Sequence, residues 1–153
     1  MNTILMVCLG NICRSPMAEG ILRHKVEKHG LSLLVDSCGT SGFHTGENPD
    51  ERAIQVMKLH GIDISSLQAR QFSPADFGKF DMIFAMDGNN LNDILAQARD
   101  PEQKNKVKLL TEEMHPGKGI PVPDPYYGNL GDFEEVYKLL DLSCDRFLER
   151  ILR

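Results

Sequence analysis

A chain of 153 residues, 41% hydrophobic and 25% charged, has the size and balance of one globular domain around one core. Its formal net charge of -5 argues against nucleic acid or an anionic membrane surface as the main partner, while leaving room for a local positive pocket. No run approaches the roughly 18 apolar residues of a membrane span, so membrane insertion is not expected.

The first residues, Met1 to Ile12, are apolar but lack a basic n-region, and Gly10-Asn11 interrupt them, so no secretory leader is expected. The cysteines Cys8, Cys13, Cys38 and Cys144 then read as reduced cytoplasmic thiols rather than as a disulfide framework. No repeat, low-complexity tract or dividing linker breaks the chain.

Thr3 to Val7 is a short apolar run that fits a buried strand. Pro16 opens a helical pattern with Ala18, Ile21, Leu22 and Val26 on one face, Ser15 at the N-cap position and Gly30 at the end. Leu33 to Ser37 reads as a second strand, followed by a Gly/Ser/Thr-rich loop from Gly39 to Pro49. Asp50 to His60 is helical, with Gly61 as its stop. Asp81 to Met86 is a third strand, and the next helix carries Leu91, Ile94, Leu95 and Ala98. Val107 to Leu110 is a fourth strand, and Met114 to Gly131 is a Pro/Gly-rich loop. Asp132 to Leu152 closes the chain as a helix, with Phe133, Val136, Leu140, Cys144, Phe147 and Ile151 on its face and Asp132 with Glu135 as a capping box. Strands alternating with helices predict an α/β domain, a parallel sheet covered on both faces. Ligands of such sheets bind beyond the carboxyl ends of the strands, near a switch point. The loop after the first strand is therefore the first place to look for a site.

That loop is Cys8-Leu9-Gly10-Asn11-Ile12-Cys13-Arg14-Ser15, between a buried strand and a helix N-terminus. Successive N–H groups there can form an anion nest, and the helix dipole adds positive charge. Gly10 and Asn11 tolerate the positive φ that a tight curl needs. Neither G-x-x-x-x-G-K-[ST] nor G-x-G-x-x-G is present. In their place a cysteine opens the loop and an arginine follows six residues later. A thiol at a helix N-terminus beside a guanidinium favours the thiolate. Arg14 offers a planar fork for two phosphate oxygens. A thiolate under a phosphate-sized nest suits in-line attack on phosphorus and a phosphocysteine intermediate. Ser15 is placed to donate to the Cys8 sulfur, and Asn11 to tie the loop to a neighbour. An isolated cysteine at a strand end would be read as a small buried hydrophobe. The company of Arg14, Ser15 and Pro16 at a strand–helix junction decides against that.

The C-x5-R-S loop near the N-terminus resembles that of the low-molecular-weight protein tyrosine phosphatase family. Asp124-Pro125-Tyr126-Tyr127-Gly128 resembles the family's general-acid motif, and Asp36-Ser37, Gly61-Ile62, Ala69-Arg70-Gln71 and Phe84-Ala85-Met86-Asp87 fall in the same order. The resemblance covers essentially the whole chain, residues 1–153, as a single domain. The expected fold is a four-stranded parallel sheet in flavodoxin-like order 2-1-3-4.

The resemblance implies Cys8 as nucleophile, Arg14 as phosphate holder and Asp124 as general acid and later general base. Pro123 and Pro125 restrict the backbone around Asp124 and help to aim it. Leu9, Gly10, Asn11, Ile12, Cys13 and Ser15 are expected around the phosphate, with Ser37 supporting the loop. Tyr126, Tyr127 and, on the opposite wall, Phe43 are expected to form a slot that selects a flat aromatic leaving group. Relatives acting on phosphoarginine tend to carry threonine where Ile12 stands, which favours phosphotyrosine. Family members often place a histidine where Leu67 stands, so the loop asparagine is expected to rest on Ser15 and Ser37 or another partner. The resemblance also implies a reversible Cys8–Cys13 disulfide, phosphotyrosine proteins as partners, and a monomer or weak self-association through Tyr126 and Tyr127.

No cofactor and no metal are expected: His24, His29, His44, His60 and His115 show no ligand spacing with carboxylates. The rival on the same scaffold is a thiol-dependent, glutathione-coupled arsenate reductase using Cys13 or Cys38. Thioredoxin-coupled versions need two further cysteines after the third strand, and Phe80 to Arg99 contains none. A non-catalytic phosphate-binding module would be expected to have lost Cys8, Arg14 or Asp124.

Overall fold

The computed structural model describes all residues, 1–153. Its elements are β1 (Thr3–Cys8), α1 (Arg14–Lys28), β2 (Leu34–Gly39), α2 (Glu51–Leu59), α3 (Asp76–Lys79), β3 (Met82–Ala85), α4 (Gly88–Leu95), α5 (Pro101–Asn105), β4 (Val107–Leu109) and α6 (Leu130–Ile151), with a 3-10 turn over Leu110–Glu113. The four strands form one parallel sheet in the order β2-β1-β3-β4. This is the expected order.

Alternation along β1 explains the two layers. Ile4, Met6 and Cys8 enter the larger core with α1, α2 and α6, whereas Leu5 and Val7 enter a smaller one with Phe77 of α3 and Ile94 of α4. β1 is central, pairing with β2 on one side and β3 on the other, so the chain order reverses at its edge. The segment leaving β1 therefore emerges at the switch point. No helix is long and apolar enough to cross a membrane.

Local chemistry corrects several boundaries. α1 starts at Arg14, and Cys13 occupies the N-cap position without a side-chain capping bond. Ser15 is inside the helix because its hydroxyl is engaged elsewhere. Gly30, with φ +63°, follows the end of α1 as expected. α6 begins before the expected Asp132: Asn129 is the N-cap, and Asn129 and Asp132 make the reciprocal capping bonds. The capping box is thus Asn129 with Asp132, three residues before the expected Asp132 with Glu135. α4 ends at Leu95, leaving Ala98 outside it, although Ala98 still packs on the smaller core. α3 and α5 were not anticipated. α5 follows a readable Asp100-Pro101 signal, with Asp100 accepting from the Gln103 N–H at 2.8 Å. α3 is four residues, too short to show a period, and tertiary contacts hold it.

Candidate active site

The loop after β1 curls as its composition requires. Asn11 has φ +58°, the one non-glycine residue in the left-handed region. The carbonyls of Cys8, Leu9 and Ile12 accept from Thr40, Ser41 and Asp50 at 2.9, 2.9 and 2.8 Å. The N–H groups from Leu9 to Cys13 find no acceptor within the chain. Carbonyls tied outward and N–H groups left free make an anion nest. Gly39, at the end of β2, permits this close approach: a Cβ there would lie 2.6 Å from the Leu9 carbonyl oxygen.

A buried hydrogen-bond chain fixes Cys8. Asn11 Nδ2 donates to Ser15 Oγ at 2.8 Å and to Ser37 Oγ at 3.0 Å. Both amide hydrogens are used, so each hydroxyl oxygen accepts one and directs its own proton onward. Ser37 donates to Glu19 Oε1 at 2.6 Å. Ser15 Oγ lies 3.0 Å from Cys8 Sγ and 3.3 Å from the Cys38 carbonyl oxygen. A thiolate can only accept, so the Ser15 proton then points at sulfur. The other side of Asn11 is held as well, its Oδ1 accepting from the Arg70 N–H at 3.1 Å. Glu19 is buried and paired with Arg23. Burial pushes its carboxyl up, while the Ser37 bond and Arg23 pull the other way. Leu67 packs against the larger core and takes no part in the network. Glu19 thus completes the support that Ser37 begins.

Arg14 is buried beside the loop. Its Nη1 donates to Asp87 Oδ2 at 2.6 Å and to the Val122 carbonyl at 3.0 Å. Nη2 stands 3.7 Å from Asp124 Oδ2, an ion-pair distance too long for a hydrogen bond. The Nε–Nη2 edge makes no hydrogen bond in the chain, which leaves the edge suited to two phosphate oxygens free. Burial works against the charge on Arg14, but Cys8, Asp87 and Asp124 outweigh it and hold the guanidinium above its ordinary value. Asp87 is itself fixed as the N-cap of α4, accepting from the Asn90 N–H at 2.8 Å.

Above this floor lies a cavity of about 390 Å³ lined by Cys8, Arg14, Ile12, Phe43, Asp124 and Tyr126, among others. Leu9, Gly10, Cys13 and Tyr127 also face it. Phe43 and Tyr127 are 84% and 95% exposed, so they are rim rather than packed wall, and Tyr126, at 38%, is the firmer wall. Asp124 Oδ1 accepts from the Tyr126 N–H at 3.1 Å, which leaves the other carboxylate oxygen toward Arg14.

Of the sequence-selected residues, Cys8, Leu9, Gly10, Ile12, Cys13 and Arg14 line this cavity with Phe43, Asp124, Tyr126 and Tyr127, while Asn11, Ser15 and Ser37 stand behind them. Cys13 is buried and free; burial, with Asp50 and Cys8, pushes its thiol up. Cys38 and Cys144 are fully buried in the two cores, and burial pushes both up. Sequence reasoning missed Glu19, Asp87, Arg52 and His44. Glu19 lies four residues after Ser15, a helical spacing that marked it as a neighbour. His44 packs its ring edge over Gly10 and is held by Glu47 at 2.8 Å. No group of three or more His, Cys, Asp or Glu side chains is arranged to hold a metal ion.

The family model described as low molecular weight phosphotyrosine protein phosphatase matches residues 3–153. A protein of that name from Schizosaccharomyces pombe is 46% identical over 152 residues, covering 97% of this chain and 96% of its own. One from Homo sapiens is 44% identical, covering 97% and 95%. The solved structure of DARP, described as drosophila arginine phosphatase, superposes with a TM-score of 0.92 at 37% identity, covering 100% and 99%. A thiol in an anion nest, an arginine beneath and an aspartate above, on a fold shared end to end with these relatives, place this chain in the low molecular weight phosphotyrosine protein phosphatase family.

Proposed function

We propose that residues 1–153 act as one phosphatase domain that hydrolyses phosphotyrosine in proteins through a phosphocysteine on Cys8. The observation that carries this is the meeting of Cys8, Arg14 and Asp124 in one aromatic-rimmed cavity. The phosphate enters the nest, its oxygens held by the loop N–H groups and the free edge of Arg14. The Cys8 thiolate attacks phosphorus in line, and Asp124 protonates the departing phenol oxygen. Asp124, now a carboxylate, takes a proton from the water that attacks the phosphocysteine. The P–S bond breaks, phosphate leaves, and the Ser15 hydroxyl steadies the returning thiolate. Depth selects the substrate: the floor lies below the Tyr126 wall, so a long flat phenyl group reaches it better than a short serine chain. The chain works in the cytoplasm in this reading, where its thiols stay reduced.

An activity panel tests this. The expected result is hydrolysis of phosphotyrosine peptide and aryl phosphate without added metal, with phosphoserine and phosphoarginine peptides far behind. Arsenate with glutathione and glutaredoxin should give no turnover-linked thiol oxidation. Preference for phosphoarginine, or arsenate reduction as the main activity, would contradict the assignment.

Cys13 adds a redox safeguard. Peroxide oxidises the Cys8 thiolate to a sulfenic acid; the Cys13 thiol then attacks that sulfur, releasing water and closing a disulfide. Burial keeps Cys13 a thiol, so Cys8 is the first target. After mild peroxide, peptide mapping should find a Cys8–Cys13 link and activity restored by dithiothreitol. Sulfinic acid on Cys8 with an untouched Cys13 is the opposing result.

A further inference from the structure

The acid loop is fastened to the protein at its two ends by two arginines, and only one of them is in the phosphate nest. At the first end, Arg14 Nη1 holds the Val122 carbonyl at 3.0 Å, and the Val122 N–H donates to the Met86 carbonyl at 2.8 Å. Beyond Val122, the segment 123–128 receives hydrogen bonds from outside itself from Arg52 alone. Arg52 Nη2 donates to the Tyr126 carbonyl and Nη1 to the Gly128 carbonyl, each at 2.8 Å. Pro123 and Pro125 have no N–H to add. The remaining bonds, Tyr126 N–H to Asp124 and Gly128 N–H to the Pro125 carbonyl, lie within the segment. Val122 and Pro125 are buried, whereas Pro123, Asp124, Tyr126, Tyr127 and Gly128 are exposed, and a cleft of about 690 Å³ lies between the loop and α6.

Arg52 is well placed to impose position. It sits at the start of α2, and its Nε and Nη2 grip both oxygens of Asp50 at 2.9 Å. Its guanidinium carbon lies 4.6 Å from the Phe133 ring centroid and 5.8 Å from that of Tyr126. Asp50, in turn, donates its N–H to the Ile12 carbonyl at 2.8 Å, inside the nucleophile's loop. One side chain thus joins the loop of Cys8 to the loop of Asp124. A planar fork can meet a carboxylate and two carbonyls together, which a lysine ammonium cannot do with the same geometry.

We propose that Arg52 is a positioning residue for the reaction: through the Tyr126 and Gly128 carbonyls it holds Asp124 over the leaving-group oxygen. This rests on Asp124 as the general acid. A group that acts only through the acid has a signature. Its loss slows esters whose phenol needs a proton and spares those whose phenol leaves unaided. A misplacement of the order of 1 Å costs about 10²-fold in such geometry.

The test compares kcat/KM for phenyl phosphate and 2,4-dinitrophenyl phosphate in the full-length wild type, Arg52→Ala, Arg52→Lys and Asp124→Ala, because kcat/KM reports the step in which the phenol leaves. Arg52→Ala is expected to lose about 10- to 100-fold on phenyl phosphate and less than about threefold on the dinitrophenyl ester. Inhibition by inorganic phosphate should change little, because the nest is intact. Arg52→Lys should fall nearer Arg52→Ala than wild type, and it carries the comparison if Arg52→Ala does not fold. Equal losses on both esters, or no loss, in an Arg52 variant while Asp124→Ala keeps its leaving-group dependence would overturn the role of Arg52. A flat Asp124→Ala profile would instead overturn Asp124 as the acid, and the Arg52 proposal with it.

Discussion

Cys8→Ser is expected to lose at least about 10⁴-fold in turnover of any aryl phosphate, as removal of a nucleophile does when the remaining machinery acts as one unit with it. The physical reason lies in what surrounds the sulfur. The Ser15 hydroxyl oxygen lies 3.0 Å from it, and the buried Arg14 faces the same nest. These groups can steady a thiolate through hydrogen bonding and charge; neither is a base that would deprotonate a serine hydroxyl. Cys8→Ser keeps the loop carbonyl bonds to Thr40, Ser41 and Asp50, so inorganic phosphate should bind within about tenfold of wild type. Steady-state rates with an aryl phosphate, paired with calorimetric phosphate binding, separate the two effects. Activity within tenfold of wild type in Cys8→Ser would remove Cys8 from the chemistry.

Asp124→Ala has the second largest expected effect. General acid catalysis contributes about 10²- to 10⁴-fold, so kcat/KM for phosphotyrosine should fall within that range. Its side chain is 43% exposed and pinned through one oxygen by the Tyr126 N–H, which leaves the second oxygen to meet a leaving group. In the proposed mechanism Asp124 also serves the second step, in which it takes the proton of the attacking water. The phosphocysteine should therefore persist longer in Asp124→Ala than in wild type. Stopped-flow release of the phenol, followed beyond the first turnover, measures both. Unchanged kcat/KM on phosphotyrosine peptide would exclude this role.

The sheet and the nucleophile's loop were legible because they obey local rules. Ile4 to Val7 is apolar throughout, and the Gly10-Asn11 pair marks the curl that Asn11 makes at φ +58°. The misread N-cap is instructive. Serine is a favoured cap, so local preference places Ser15 there. In the structure its hydroxyl is taken by Asn11 and Cys8, and α1 begins at Arg14 with no side-chain cap. Helix capping yields to the site there, as functional positions often override local preference.

What was not legible is mostly long-range. Arg14 meets Asp87 and Val122, and Arg52 meets Tyr126 and Gly128, across more than 70 residues of sequence. No periodicity within one element records such pairs. Glu19 was closer to view, since it follows Ser15 by one helical turn, but α1 was read for its apolar face alone. α3 left no signal because four residues cannot show a helical period, and its Asp76 is held by Arg70 from outside the element.

The covalent step can be observed directly. Asp124→Ala, mixed with excess aryl phosphate and quenched within the first turnover, should carry one phosphoryl group on the peptide containing Cys8, appearing as the first equivalent of phenol is released. A burst of phenol with no phosphoryl group on Cys8, or with the group on another residue, would contradict nucleophilic attack by its sulfur.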